Sequence, residues 1–263
     1  MIPLFVALLT AALIGSLAYA LTGLARHEAD ADLSVADSRP TQPVTRGSVV
    51  AVALAGFVVA GVVLGLLARE IERQSPLVRW DDTVEGWASA EAGPVSTDAL
   101  RLITHLGDTV TIVVIGSVGC AWLLWKRQRR LALFLVSVVV GQWLLSNLIK
   151  GLVARDRPAL DPLAPFSGFS FPSGHSTAAA ATYLALALIV GTLHARRHQR
   201  WLIALGVGIG AAVGASRMLL GVHWFSDVVG GLLLGWTWCL TCAAVFGLIG
   251  QRHTSPRSAI LDR

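Results

Sequence analysis

Seven stretches of about twenty residues, each nearly free of charge, constrain what this 263-residue chain can fold into. They fall at residues 2–24, 48–68, 109–125, 131–149, 173–193, 201–220 and 226–248. A helix of that length spans roughly 30 Å, the thickness of the hydrocarbon layer of a bilayer. A backbone that crosses hydrocarbon must satisfy its own hydrogen bonds, so it is either helical or part of a closed barrel. No ten-residue alternating pattern recurs, and the chain therefore reads as all-α. Hydrophobic residues make up 54% of the sequence and charged ones 14%, too little charge to cover a soluble domain of this size. The expected architecture is a polytopic transmembrane helix bundle: a six-helix core over residues 48–250, preceded at 1–47 by an extra span and a cytoplasmic linker. Residues 251–263 form a cytoplasmic tail.

Lys and Arg in the short connections set the expected orientation. Lys126, Arg127, Arg129 and Arg130 crowd one link, Arg196, Arg197 and Arg200 another, and Arg252, Arg257 and Arg263 lie in the tail. Alternation of the spans puts all three groups on one side, read as cytoplasmic. The opposite side receives the acid-rich segment 69–108, the loop 151–172 and the short link around His223. A multi-pass protein of the plasma membrane is expected. Its net charge of +5 belongs to topology anchors beside anionic lipid headgroups, not to a nucleic-acid site.

Within the outer segment, Trp80, Val84 and Trp87 recur at helical spacing, as do Leu102 and Leu106. This predicts a helix lying in the interface with tryptophans at headgroup depth. Cys120, Cys239 and Cys242 all fall within spans. The Cys239-x-x-Cys242 pair has no His or further Cys beside it, so these are read as packing residues rather than a redox or zinc motif.

Three outer segments hold polar residues that the membrane does not explain, and ionisable groups at such depth are costly. The first runs from Lys150 to Arg155, Asp156, Arg157 and Pro158. Three cations in an outer loop defy the charge bias and suggest an anion held there. The second is Pro172-Ser173-Gly174-His175 at the start of a span. Unpaired N–H groups at a helix start bind phosphate readily. A plain Ser N-cap would explain Ser173 but not His175. The third holds Ser216, Arg217, His223 and Asp227. A His and an Asp four residues apart can meet across one turn, so that the carboxylate fixes the ring tautomer and frees the other nitrogen as nucleophile or base.

These segments, in this order, resemble the type 2 phosphatidic acid phosphatase superfamily, which also includes bacterial lipid phosphatases and the vanadium haloperoxidases. Lys150, six residues, then Arg157-Pro158 matches the first motif of that family. Pro172-Ser173-Gly174-His175 matches the second. Ser216-Arg217, five residues, His223, three residues, Asp227 matches the third. The resemblance covers about residues 48–248 and implies a set of roles. His223 would attack phosphorus and form a phosphohistidine, with Asp227 orienting it. Lys150, Arg157 and Arg217 would hold the phosphoryl oxygens, assisted by Ser173 and the Gly174 N–H. His175 would act as general acid and then general base. Three cations stand in for a metal, so no metal or cofactor is expected. A site at the headgroup plane suits a lipid phosphate substrate drawn from the surrounding membrane: phosphatidate, phosphatidylglycerophosphate or a polyprenyl diphosphate. A lipid-linked phosphotransferase using the same intermediate is the alternative, and a non-catalytic scaffold or transporter is a third reading. A haloperoxidase fits poorly because its known members are soluble. Oligomeric state is not legible.

Overall fold

A computed structural model describes residues 46–90, 94–158, 163–164, 166–194 and 198–249. Residues 1–45, with the first expected span and its linker, lie outside this set, as do Arg196, Arg197 and the tail arginines. Among the described residues the chain is helical, without strands. The helices are α1 (Arg46–Glu72), α2 (Pro76–Ala90), α3 (Pro94–Thr104), α4 (Thr109–Trp125) and α5 (Arg129–Val153). Next come α6 (Gly174–Leu193), α7 (Gln199–Leu219) and α8 (Phe225–Val245). Helices α1, α5, α6, α7 and α8 are long and apolar enough to cross a membrane, and α3 with α4 makes a sixth candidate, bent by 46°. The bend falls at Asp108, between the short 3-10 turn His105–Gly107 and the start of α4.

The bundle is organised around α6 and α8, whose apolar windows are mostly buried, whereas α1 and α7 turn most of theirs outward. Exposed Val52, Val59, Val110, Val118, Trp125 and Leu205 form the apolar exterior that lipid requires. Lipid tails give helices no hydrophobic reason to associate with each other, so close packing of small residues takes that part. On α8, a Cβ at Gly231 would lie 2.6 Å from the Ser173 carbonyl oxygen, and one at Gly235 2.5 Å from that of Thr177. Glycine at both positions lets α8 meet the α6 backbone directly, beside Ala178, Ala179, Ala180 and Ala181. Trp238 fills the opposite side, edge-on to Phe57 of α1, with its indole N–H on the Ser137 carbonyl. Cys239 and Cys242 are free and buried in this core, as packing residues would be.

Helix α2 forms over the expected spacing, and its Trp80 and Trp87 are exposed. Helix α2 is nevertheless docked rather than adrift. Its other face carries Asp81 and Glu85, both buried, and it packs on α7 and α8. The link between Lys126 and Arg130 sits at the end of the bundle opposite His175 and His223. There Arg130 donates to the Phe246 carbonyl.

Replacing Gly235 with Ala should lower stability by about 1–3 kcal/mol, the usual cost of overpacking a tight contact. Gly208→Ala, on an exposed part of α7 with open space around it, serves as control. Thermal unfolding in detergent should separate the two, and equal midpoints would show that the α6–α8 contact is not the tight one.

Candidate active site

Two irregular connections carry the site, and each is aimed by a specific backbone turn. Helix α5 ends at Ala154, which adopts a left-handed conformation (φ 47°) with its N–H on the Lys150 carbonyl. This reverses the chain so that Arg155 and Arg157 point back over the bundle. Helix α7 ends at Gly221 (φ 68°), where the Val222 N–H reaches the Arg217 carbonyl and the Gly221 N–H that of Met218. Such a closure favours glycine at the left-handed residue, and it swings His223 across the start of α8.

Asp227, in the first turn of α8, is completely buried and meets four donors. One oxygen takes the Arg155 guanidinium at 2.7 Å. The other takes the Trp224 N–H at 3.0 Å, the Ser170 hydroxyl, and His223 Nδ1 at 3.4 Å. On the far side of the ring, Arg157 Nη1 lies 3.2 Å from His223 Nε2. A guanidinium only donates, so Nε2 carries the lone pair and Nδ1 the proton. Burial pushes the His223 pKa down to about 3, against the opposing pull of Asp227, which keeps the ring neutral and Nε2 unprotonated at physiological pH.

A second carboxylate–imidazole pair stands opposite. His175 Nε2 lies 2.6 Å from Asp108 Oδ1, and the other oxygen of Asp108 is 2.6 Å from His105 Nδ1. Asp108 occupies the N-cap position of α4, but its side chain caps nothing and is spent on the two histidines.

Lys150, Arg157 and Arg217 converge on one cavity of about 850 Å³, together with Gly174, His175 and His223. None of the three cations has a carboxylate within ion-pair distance among the described residues. Lys150 donates to the Phe169 carbonyl at 2.6 Å, and Arg157 to the carbonyls of Ser167, Gly168 and Val222. Burial lowers the Arg157 pKa, with the Asp227 charge opposing. Arg217 is 3% exposed; its Nη1 reaches Thr104, and its Nε has no partner among the described residues. Three cations held by neutral dipoles, one with a buried N–H unspent, form a seat for a multivalent anion.

Two expected residues behave differently from the rest. Ser173 is fully buried as the α6 N-cap, accepting from Ser176 Oγ at 2.8 Å, and does not line the cavity. Arg155 belongs to the triplet of loop cations expected to hold an anion, yet it is neutralised within the protein. It bridges Asp227 and Asp81 at 2.7 and 2.8 Å, and Asp81 also takes the Ser226 N–H and hydroxyl. Sequence reading missed Asp81, Asp108, Thr104 and Ser170. For Asp108 the local signals were an acid at the edge of a span and a histidine three residues before it, whereas its contact with His175 lies 67 residues away.

The chain matches the sequence profile of the PAP2 superfamily over residues 130–250. It is 32% identical over 157 residues to phosphatidylglycerophosphatase B of Bacillus subtilis, covering 59% of this chain and 77% of that one. Over 174 residues it is also 32% identical to the lipid A 1-phosphatase of Rhizobium etli, covering 57% and 71%. The fold superposes on the crystal structure of a transmembrane PAP2-type phosphatidylglycerolphosphate phosphatase from Bacillus subtilis. The TM-score is 0.67 at 26% identity, over 80% of this chain and 100% of the other.

Arg155→Met would leave Asp81 and Asp227 as buried charges without their shared partner, at a cost of about 3–5 kcal/mol. Asp81→Asn, which leaves the Arg155–Asp227 pair intact, should cost about 1–3 kcal/mol. Thermal unfolding in detergent should rank wild type above Asp81→Asn and Asp81→Asn above Arg155→Met. A wild-type midpoint for Arg155→Met would show that the bridge is not structural.

Proposed function

The chain belongs to the PAP2 superfamily and is a lipid phosphatase of that type, and we propose that it works through a phosphohistidine on His223 at the extracytoplasmic face of the membrane. The observation that carries this is the set of three carboxylate-free cations around a neutral imidazole whose lone pair is directed away from its carboxylate. Lys150, Arg157 and Arg217 hold the non-bridging oxygens of the phosphoryl group, and the Gly174 N–H at the start of α6 adds a donor. Binding of the phosphate draws Arg157 onto its oxygens and uncovers His223 Nε2. That nitrogen forms a bond to phosphorus as the bond to the lipid oxygen breaks. Asp227 stabilises the cationic ring. His175 enters as the imidazolium, its Nε2–H held by Asp108; its Nδ1–H protonates the departing alkoxide, and the nitrogen so freed then takes a proton from the water that hydrolyses the N–P bond. The roles of Lys150, Arg157, Gly174, His175, Arg217, His223 and Asp227 are assigned on this basis. Ser173 acts on the phosphate only through the helix end that it caps. The reaction needs no metal in this scheme, since the three cations carry the charge.

The orientation is supported by the link holding Lys126, Arg127, Arg129 and Arg130 at the end of the bundle away from the site, following the bias of basic loops toward the cytoplasm. A lipid substrate is supported by the cavity itself. It continues from the cations down between α4 and α5 past Ile112, Val113, Val139 and Val140. A transferase would use the same intermediate and differ only in the acceptor.

Purified protein in detergent with EDTA should release phosphate from phosphatidate or phosphatidylglycerophosphate. His223→Ala should lower that release by at least about 10³-fold, the scale of losing a nucleophile that has no substitute. Activity that is abolished by EDTA, or that survives in the variant, would contradict the scheme.

A further inference from the structure

The α5 wall of the cavity is graded, and its middle step is polar. Lys150 stands at the top, Ser146 about 6 Å below it and Gln142 about 12 Å below, one and two turns down the same face. Asn147 lies beside Ser146, and Val139 and Val140 continue the wall downward. Ser146 is 3% exposed, and its Oγ has no hydrogen-bond partner among the described residues. A hydroxyl on a membrane helix ordinarily donates to the carbonyl four residues back, as Thr192, Thr237 and Thr241 do here. Ser146 does not, and it lines the cavity instead. Gln142 and Asn147 each show one hydrogen bond, to the carbonyls of Val139 and Trp143, which leaves one amide N–H on each.

We propose that Ser146, with Gln142 and Asn147, is a subsite for the acyl carbonyls of the substrate, so that the preferred substrate is an acylated lipid phosphate rather than a polyprenyl diphosphate. This rests on the phosphatase reading above and adds the class of lipid. In an acylated lipid phosphate the carbonyl oxygens follow the phosphate at about one helical turn, where Ser146 offers its O–H. The chains beyond them meet the apolar part of the groove. In a polyprenyl diphosphate everything past the second phosphate is hydrocarbon. It would seal Ser146 and Gln142 against carbon with their donors unspent, a recurrent source of discrimination between substrates. No cation lies below Lys150 on this wall to receive a second phosphate.

Three lipids decide it: diacyl phosphatidate, its dialkyl ether analogue lacking the carbonyls, and undecaprenyl diphosphate. Each is presented at equal mole fraction in the same detergent. Wild type should show kcat/KM about tenfold higher for the diacyl than for the dialkyl compound, and higher again than for undecaprenyl diphosphate. Ser146→Ala should shrink the diacyl advantage to about twofold, chiefly through loss on the diacyl lipid. Equal rates on the ester and ether in wild type, an unchanged ratio in Ser146→Ala, or preference for the diphosphate would each overturn the subsite. If the variant does not fold, the wild-type ester-to-ether ratio still decides. Release of phosphate from none of the three lipids would instead sink the phosphatase reading on which the proposal rests.

Discussion

The buried carboxylate of Asp227 joins otherwise separate parts of the structure. It sits in the first turn of α8, takes the N–H of Trp224 and the hydroxyl of Ser170, and is bridged by Arg155 to Asp81 on the outer helix α2. A carboxylate removed from water must be matched by charge and donors, and here the matching partners come from two different connections. Their convergence sets where the α5–α6 loop and the α7–α8 turn can lie. His223 is placed as a consequence, with its protonated nitrogen toward Asp227 and its lone pair toward the cavity. Arg155 therefore differs from Lys150, Arg157 and Arg217: it is bound between two carboxylates and fixes the imidazole through Asp227, whereas the other three face the cavity without a carboxylate partner among the described residues.

The membrane explains why the site can be built this way. Helices in lipid gain little from burying apolar surface against each other, so the bundle relies on backbone contact at Gly231 and Gly235. Such contact brings the ends of α6 and α8 together at one level, where Gly174 and Asp227 sit. The polar groups then gather at one end of the bundle, and a groove between α4 and α5 leads from them along apolar side chains. An amphiphile with its charge at the surface and its chains in the bilayer has the same gradient.

Much of this was legible in the sequence, because the information was local. Among the described residues, runs of apolar residues located α1, α4, α5, α6, α7 and α8 to within about four residues at each end. The spacings within the three motifs identified Lys150, Arg157, Gly174, His175, Arg217 and His223, which the fold brings to one cavity, with Asp227 buried behind His223 and Ser173 turned to capping. What stayed hidden was pairing across distance. Nothing local links Asp108 to His175, or Asp81 to Arg155 74 residues on. Arg155 is the instructive case. Beside Lys150 and Arg157 it reads as a third anion-binding cation, and only a buried acid on a helix read as merely interfacial reveals its other use. Ser146 was equally invisible, since a lone serine in an apolar run carries no signal until its hydroxyl is found without a partner.

The central claim is that phosphate passes through His223, and trapping the intermediate tests it most directly. Protein mixed with a lipid phosphate carrying a radiolabelled phosphoryl group would be quenched within milliseconds into alkaline denaturant, which preserves an N–P bond. The account predicts label bound to protein, stable to alkali and released by acid, mapping to the peptide that holds His223 and absent from His223→Ala. Rapid product formation with no protein-bound label at any quench time, or label on a different residue, would contradict it.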